Sequence, residues 1–405
     1  MKKEILIRYC HLGILGGSLL ICLVPYFITI SEVGFSLLLL CYVGNVILSG
    51  GMKWKRTVMD FPLGFLLFAA VISCIFSTHP LHSMFQLKLL RLFLIYYVLV
   101  SISFTQKELL LIFSVLLGCT SVLAAYMVLQ HIVGYNVLPY YYYELQSPSI
   151  RIYPGLAQIM MIVFLFSIPF LLFAAWGRQR KILIGLGCAA LGLGIYFSFT
   201  RSAWIGLLGS LLGLGFVKSK TLTLFSLISI LFLLTTSYFA PQSTLGGLVH
   251  SVISPFDPSN VRYANNRIRF IMLKDAGDIL KKRPLTGLGF DAYRFFAAEH
   301  HDTSYKERRI SSDPISFLVN MGFIGLISYA LLYGLLIYDA IRRTSIDRGP
   351  LLLGIVTAFF GFTVSGLFEP LFFNSKTLRL MIFLISLGVS GQKGEDIHAR
   401  ETRVY

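Results

Sequence analysis

Asn265-Asn266-Arg267-Ile268-Arg269-Phe270 and, a turn or two later, Lys281-Lys282-Arg283-Pro284-Leu285-Thr286-Gly287-Leu288-Gly289-Phe290 lie inside the one long polar interval of this chain, Pro241 to Pro314. On both sides of it the sequence is one apolar run after another. Runs of about 20 apolar residues are long enough to cross a bilayer as helices. Backbone groups in lipid must be satisfied within each span, so helices are expected rather than strands. The interval therefore divides an all-α polytopic membrane protein into two blocks of spans joined by one large basic loop.

The composition supports this division. Of 405 residues, 56% are hydrophobic and 13% charged, which excludes a soluble domain. The net charge of +16 is scattered through short connections, a pattern of membrane topology and anionic lipid rather than of nucleic-acid binding. Cys10, Cys22, Cys41, Cys74, Cys119 and Cys188 fall in or beside apolar runs. They show neither metal spacing nor a disulfide framework. Met1-Lys2-Lys3 followed by apolar sequence imitates a signal peptide, but the run is too long and lacks a small-residue cleavage site, so a retained first helix is expected.

Twelve spans are expected, roughly at 12–30, 33–49, 61–77, 87–104, 109–129, 152–175, 182–198, 202–217, 221–240, 315–338, 351–368 and 377–390. The organisation is thus helices 1–9 over 1–240, a loop over 241–314, helices 10–12 over 315–390 and a polar, unstructured tail over 391–405. With the N-terminus inside, every cytoplasmic segment carries at least one Lys or Arg, which puts both termini in the cytoplasm and the long loop outside. Lys88, Arg91, Arg151, Arg201, Lys376 and Arg379 then sit at outer helix ends. Any one of them fits a snorkelling interfacial residue; together they suggest a site for an anion.

Single segments add detail. Tyr140-Tyr141-Tyr142-Tyr143-Glu144 reads as an aromatic anchor, with sugar stacking as the alternative. In Phe199-Thr200-Arg201-Ser202-Ala203-Trp204, Thr200 or Ser202 can cap a new helix, leaving Arg201 beside a positive helix end. Apolar residues at 268, 271, 272, 276 and 279 give Arg267 to Lys282 an amphipathic helical pattern, expected to lie on the outer membrane face. Pro284 stops it, the two glycines make a turn rather than a phosphate loop, and a short helix follows from Asp291 to Glu299. Ser312-Asp313-Pro314 has the form of a helix cap with proline at the first position, and a catalytic role for Asp313 is equally open. Glu369, in Gly366-Leu367-Phe368-Glu369-Pro370, closes the eleventh span.

Three segments in order resemble the O-antigen ligase and polymerase superfamily of bacterial inner-membrane glycosyltransferases. They are Phe199 to Trp204, the arginine-bearing amphipathic segment with Arg283 to Gly289, and the loop exit Phe317-Leu318-Val319-Asn320-Met321-Gly322-Phe323-Ile324-Gly325. The resemblance covers about 195 to 340. It implies transfer of a glycan from an undecaprenyl-pyrophosphate carrier, on the periplasmic side, to lipid A-core (ligase) or to a second lipid-linked repeat (polymerase). By motif position Arg201 and Arg269 contact the pyrophosphate, Arg267 is a further candidate, and Lys88 and Arg91 assist. No metal or cofactor is implied, and no nucleic acid; the partners are the lipid-linked donor, the glycan acceptor and membrane lipid. The His-Asn-type pair usual before the tenth helix of ligases is replaced by Ser311-Ser312-Asp313. A base must then be sought among His301, Asp313 and Glu299. A flippase for a lipid-linked anion is the competing class. It would place charges in mid-membrane and show a repeat between halves, and neither is evident.

Overall fold

The computed structural model describes residues 2–23, 28–51, 56–133, 154–198, 200–218, 263–301, 309–346 and 349–401, with scattered positions between 220 and 235. All regular structure among them is helical. Among the described residues seven helices are long and apolar enough to cross a membrane, and three shorter apolar ones accompany them. This is a multi-pass, all-α membrane protein. The tetra-tyrosine loop, Arg151, most of the ninth expected span and residues 241–262 and 302–308 of the long loop lie outside the described residues.

Helices α1 (Lys2–Ile21) and α2 (Ile28–Ser49) form an antiparallel hairpin. They touch so closely at Gly17 and Gly34 that a Cβ on either would lie under 3 Å from the other helix. The break between them falls earlier than the expected one near residue 31, because Ser31 and Glu32 are drawn into α2. There they bind Arg379. α3 (Asp60–Ile75) follows, and the fourth expected span is in fact three pieces: α4 (Pro80–Gln86), a 3-10 turn (Leu87–Leu92) and α5 (Phe93–Val100). Pro80, at the first position of α4, starts this composite span well before residue 87.

α6 (Gln106–Val133) opens on a reciprocal cap. The Thr105 amide donates to Glu108 Oε2 at 2.7 Å and the Glu108 amide to Thr105 Oγ at 3.3 Å, which satisfies two otherwise orphaned donors. α7 (Pro154–Phe173) is the axis of the bundle, packed by α6, α8 (Arg178–Ser198), α9 (Arg201–Lys218) and α13 (Pro350–Gly366). α12 (Asp313–Ile346) and α14 (Ser375–Glu401) complete the membrane block, and α14 runs on through the region expected to be an unstructured tail.

Outside the spans stand α10 (Tyr263–Lys282) and α11 (Tyr293–His300). The periodicity of α10 is realised, but its apolar face meets protein rather than lipid. Met272, Ala276 and Ile279 are buried with Leu288, Tyr293, Ala297 and Val319. Periodicity identifies a face and says nothing about what covers it.

The segment from Arg283 to Asp291 is threaded between α3 and α12 by backbone hydrogen bonds. The Leu288 amide donates to Val319 O, Gly289 to Asn320 O, Phe323 to Pro284 O and Thr78 to Leu288 O, all at 2.9–3.0 Å. Gly322 sits at φ 64° and ψ −160°, which breaks α12 into two helices across the contact. A Cβ there would lie 2.2 Å from Leu285 C, and one on Gly287, also at φ 64°, 2.4 Å from Val319 O. Only glycine satisfies both the positive φ and the close approach. Asp291, a non-glycine at φ 55°, is held by paired hydrogen bonds of 3.0 and 2.9 Å from Arg309. The glycine turn is thus a clasp joining the outer helices to the bundle. Its amides bind protein carbonyls and not a phosphate.

Candidate functional site

Arg201 begins α9 because Ser198 and Thr200 end the preceding helix around it. Thr200 occupies the cap position, its carbonyl accepting from the Trp204 amide at 3.3 Å. Neither expected side chain caps through its oxygen: Thr200 Oγ turns back to Ser198 O, and Ser202 Oγ accepts from Gln158 Nε2 at 2.8 Å. Buried Gln158 in turn accepts from Ser365 Oγ at 2.8 Å. Glu369 donates its amide to Ser365 O at 3.1 Å. One buried amide side chain therefore ties the start of α9 to the turn that carries Glu369.

Above this scaffold, Arg201 Nη2 donates to Asn266 Oδ1 at 2.9 Å, and Arg269 Nη2 donates to Glu369 Oε1 at 2.9 Å. Asn266 and Arg269 are i, i+3 neighbours on α10, so one helix edge serves both contacts. Burial pushes the Glu369 carboxyl above its usual range, and the charges of Arg269 and Arg201 oppose that shift. Both guanidinia are thus close enough to act on one carboxylate, two cations to one anion among the described residues. A guanidinium carries five N–H donors in a fixed fork, a geometry that suits bidentate binding of an oxyanion.

The remaining sequence candidates lie elsewhere. Arg267 is exposed, two residues from Arg269 and hence on another side of α10. Arg91 pairs with Glu32 at 2.8 Å. Lys88 lies over the Phe85 ring at 3.8 Å. Glu32 also binds Arg379, a fully buried side chain, so the Arg91 group is a separate ionic cluster pinning α2 to the 3-10 turn and to α14. Asp313 is fully buried. Its Oδ1 accepts from the Phe372 amide at 2.9 Å, and its Oδ2 lies against Gly366 with no hydrogen-bond partner among the described residues. In this position it braces the turn between α13 and α14 and is sealed from an acceptor.

His301 has a different setting. Its Nε2 is 2.8 Å from Asp275 Oδ2, which also accepts from Tyr293 Oη at 2.7 Å. A buried carboxylate thus orients an imidazole at the end of α11, an arrangement that suits proton transfer. Asp275 follows Arg269 by six residues, about 9 Å along the axis, and lies on the other flank of the buried stripe of α10. Glu299 lies 3.6 Å from His79 Nε2, at the mouth of a cavity.

Asn266 and Asp275 escaped the sequence reading. Asn266 had a signal in its i, i+3 spacing to Arg269. Asp275 had none, because its partner is 26 residues away.

Residues 186–330 match the family model described as O-antigen ligase. The match begins within α8 and ends within α12, covering Arg201, α10, the clasp and the His301–Asp275 pair; Glu369 lies beyond it. It identifies this part of the chain as an O-antigen ligase family domain, in agreement with the ligase and polymerase resemblance. A comparison with curated proteins gives no match.

Proposed function

We propose that the protein transfers an oligo- or polysaccharide from undecaprenyl pyrophosphate to an acceptor outside the bacterial cytoplasmic membrane, acting as an O-antigen ligase with lipid A-core as acceptor. The observation that carries this reading is the convergence of Arg201 and Arg269, from separate helices, around one carboxylate under the outer helix α10. Such a pair suits a pyrophosphate, which leaves well once its growing charge is stabilised. The acceptor hydroxyl oxygen forms a bond to the anomeric carbon. The bond from that carbon to the phosphate oxygen breaks, and its electron pair passes to the pyrophosphate beside the arginines. His301, oriented by Asp275, takes the acceptor proton. The axial offset between Arg269 and Asp275 leaves room for a sugar ring between leaving group and base. Arg267, Lys88 and Arg91 are assigned no part in this chemistry, and Asp313 is a brace. In this reading the long loop is periplasmic and both termini cytoplasmic, as the lysine and arginine distribution favours.

Polymerisation is the second reading. It is favoured by the sealed Asp313, which leaves no exposed base where ligases usually carry one. Deleting the gene in a cell that makes surface polysaccharide separates the two. Loss of ligation leaves long lipid-linked polymer; loss of polymerisation leaves single repeats on the acceptor. Unchanged polysaccharide in both pools would overturn the enzyme reading.

A further inference from the structure

A second polar site lies beyond the arginine cluster. The last turn of α10, α11 and the turn from α3 to α4 enclose a cavity of about 210 Å³, room for a single sugar ring. Ile279 and Leu288 form its apolar floor, and Asp278, Lys282, Phe296, Glu299 and His300 stand around it. Its shape is fixed by the clasp. Thr78 donates to Leu288 O through both its amide, at 2.9 Å, and its hydroxyl, at 3.2 Å. His300 stacks on Phe296 with ring centroids 4.0 Å apart, and its Nδ1 is 2.9 Å from Phe296 O, which holds an aromatic wall in place.

The chemistry of the walls selects the ligand. Among the lining residues two carboxylates, Asp278 and Glu299, stand against two fixed cations, Lys282 and Arg283, so the lining itself carries no fixed cationic excess for a phosphate. Asp278 also pairs with Lys281, outside the lining, at 3.6 Å. Carboxylates accept from pairs of hydroxyls, and aromatic rings cover the apolar face of a pyranose. An apolar surface with a few converging polar groups is the form of a small-ligand site. Position adds a second argument. Asp278 is the i+3 neighbour of Asp275, and His300 precedes His301, so a ring held here lies next to the oriented imidazole. We propose that this cavity is the subsite for the terminal, neutral sugar of the acceptor, presenting its hydroxyl to His301. The inference rests on the transferase reading and gives it a specificity element.

Saturation-transfer NMR on the full-length protein in phosphatidylglycerol nanodiscs tests it; maltoside detergents would compete as ligands. The probes are methyl β-D-glucopyranoside, methyl β-D-galactopyranoside and glucose 1-phosphate. At least one neutral glycoside should bind, and Asp278→Asn with Glu299→Gln should weaken it at least tenfold. Both carboxylates are more than half exposed, and matched melting curves check that the variant folds. The subsite falls if neither glycoside binds or if the double variant binds equally well. It also falls if only glucose 1-phosphate binds and Lys282→Ala abolishes that binding. Glycoside binding without any transfer activity would leave the subsite standing and sink the enzyme reading. Transfer without glycoside binding would sink the subsite alone.

Discussion

Replacing Arg201 or Arg269 by lysine keeps the charge and removes the fork. Arg269 already commits Nη2 to Glu369 at 2.9 Å, and Arg201 commits Nη2 to Asn266 at 2.9 Å. A guanidinium can hold these protein partners with one edge and a phosphate oxygen with another. An ammonium group at the end of a flexible stem has no second edge, so keeping Glu369 or Asn266 forfeits alignment with the leaving oxygen. Loss of one charged donor to a transition state costs about 3 kcal/mol, or roughly a hundredfold in kcat. The donor's ground state has less charge at the breaking bond, so its KM should move by less than about threefold. The assay is initial rate of glycan transfer in membranes with matched protein levels. If both guanidinia merely anchored helices at the interface, lysine would snorkel equally well. Near-normal activity in both variants would refute the pyrophosphate assignment.

Further outcomes are expected. His301→Ala should lower kcat by about a hundredfold or more, as loss of a general base does, and Asp275→Asn by about tenfold, both with donor KM nearly unchanged; a shift confined to KM would remove the pair from the chemistry. Gly287→Ala should lower the melting midpoint and the folded yield, since it strains a positive φ at a cost of ~1–3 kcal/mol before any clash with Val319; wild-type melting would contradict the clasp. Glu369 is raised above 4.5 by burial in the folded chain, so the folded state holds its proton more tightly and loses stability as pH rises from the ordinary glutamate range through the folded pKa. Glu369→Gln should remove that slope, so a melting difference between variant and parent that stays constant above pH 4.5 would contradict the account. Lys281, whose side chain is 80% exposed, should react as Lys281→Cys with an impermeant maleimide in intact spheroplasts; labelling only after permeabilisation would invert the topology.

Much of the fold is legible from the sequence because apolar runs of span length have few alternatives in a bilayer. Arg201 is legible for a similar reason: a charge wedged between two spans must sit at a surface. The amphipathic pattern of α10 also survives, although Met272, Ala276 and Ile279 face protein. Hidden from the sequence are the partnerships. Arg269 and Glu369 are 100 residues apart, and Glu32 meets Arg91 across 59. Helical periodicity reports which face a residue occupies and carries no information about the facing element. The ion pair of Arg91 with the carboxylate of α2 is one such partnership without a local signal. The Gly287 and Gly289 pair shows the converse. Its role is fixed by the backbone of Val319 and Asn320, which no local pattern could announce.

The contact between Glu369 and Arg269 has a kinetic consequence. On the proposed reaction the carrier departs with a terminal phosphate that the donor did not have free, so the spent lipid carries more charge than the incoming one and grips two arginines harder. An enzyme built only for capture would then be slowed by its own product, and release often limits turnover. A tethered carboxylate within hydrogen-bond reach of Arg269 acts as an intramolecular competitor, present at an effective concentration that no dissociated anion matches. As the spent pyrophosphate loosens, Glu369 reoccupies the guanidinium and makes rebinding less favourable, so the same side chain that weakens capture shortens the residence of the product.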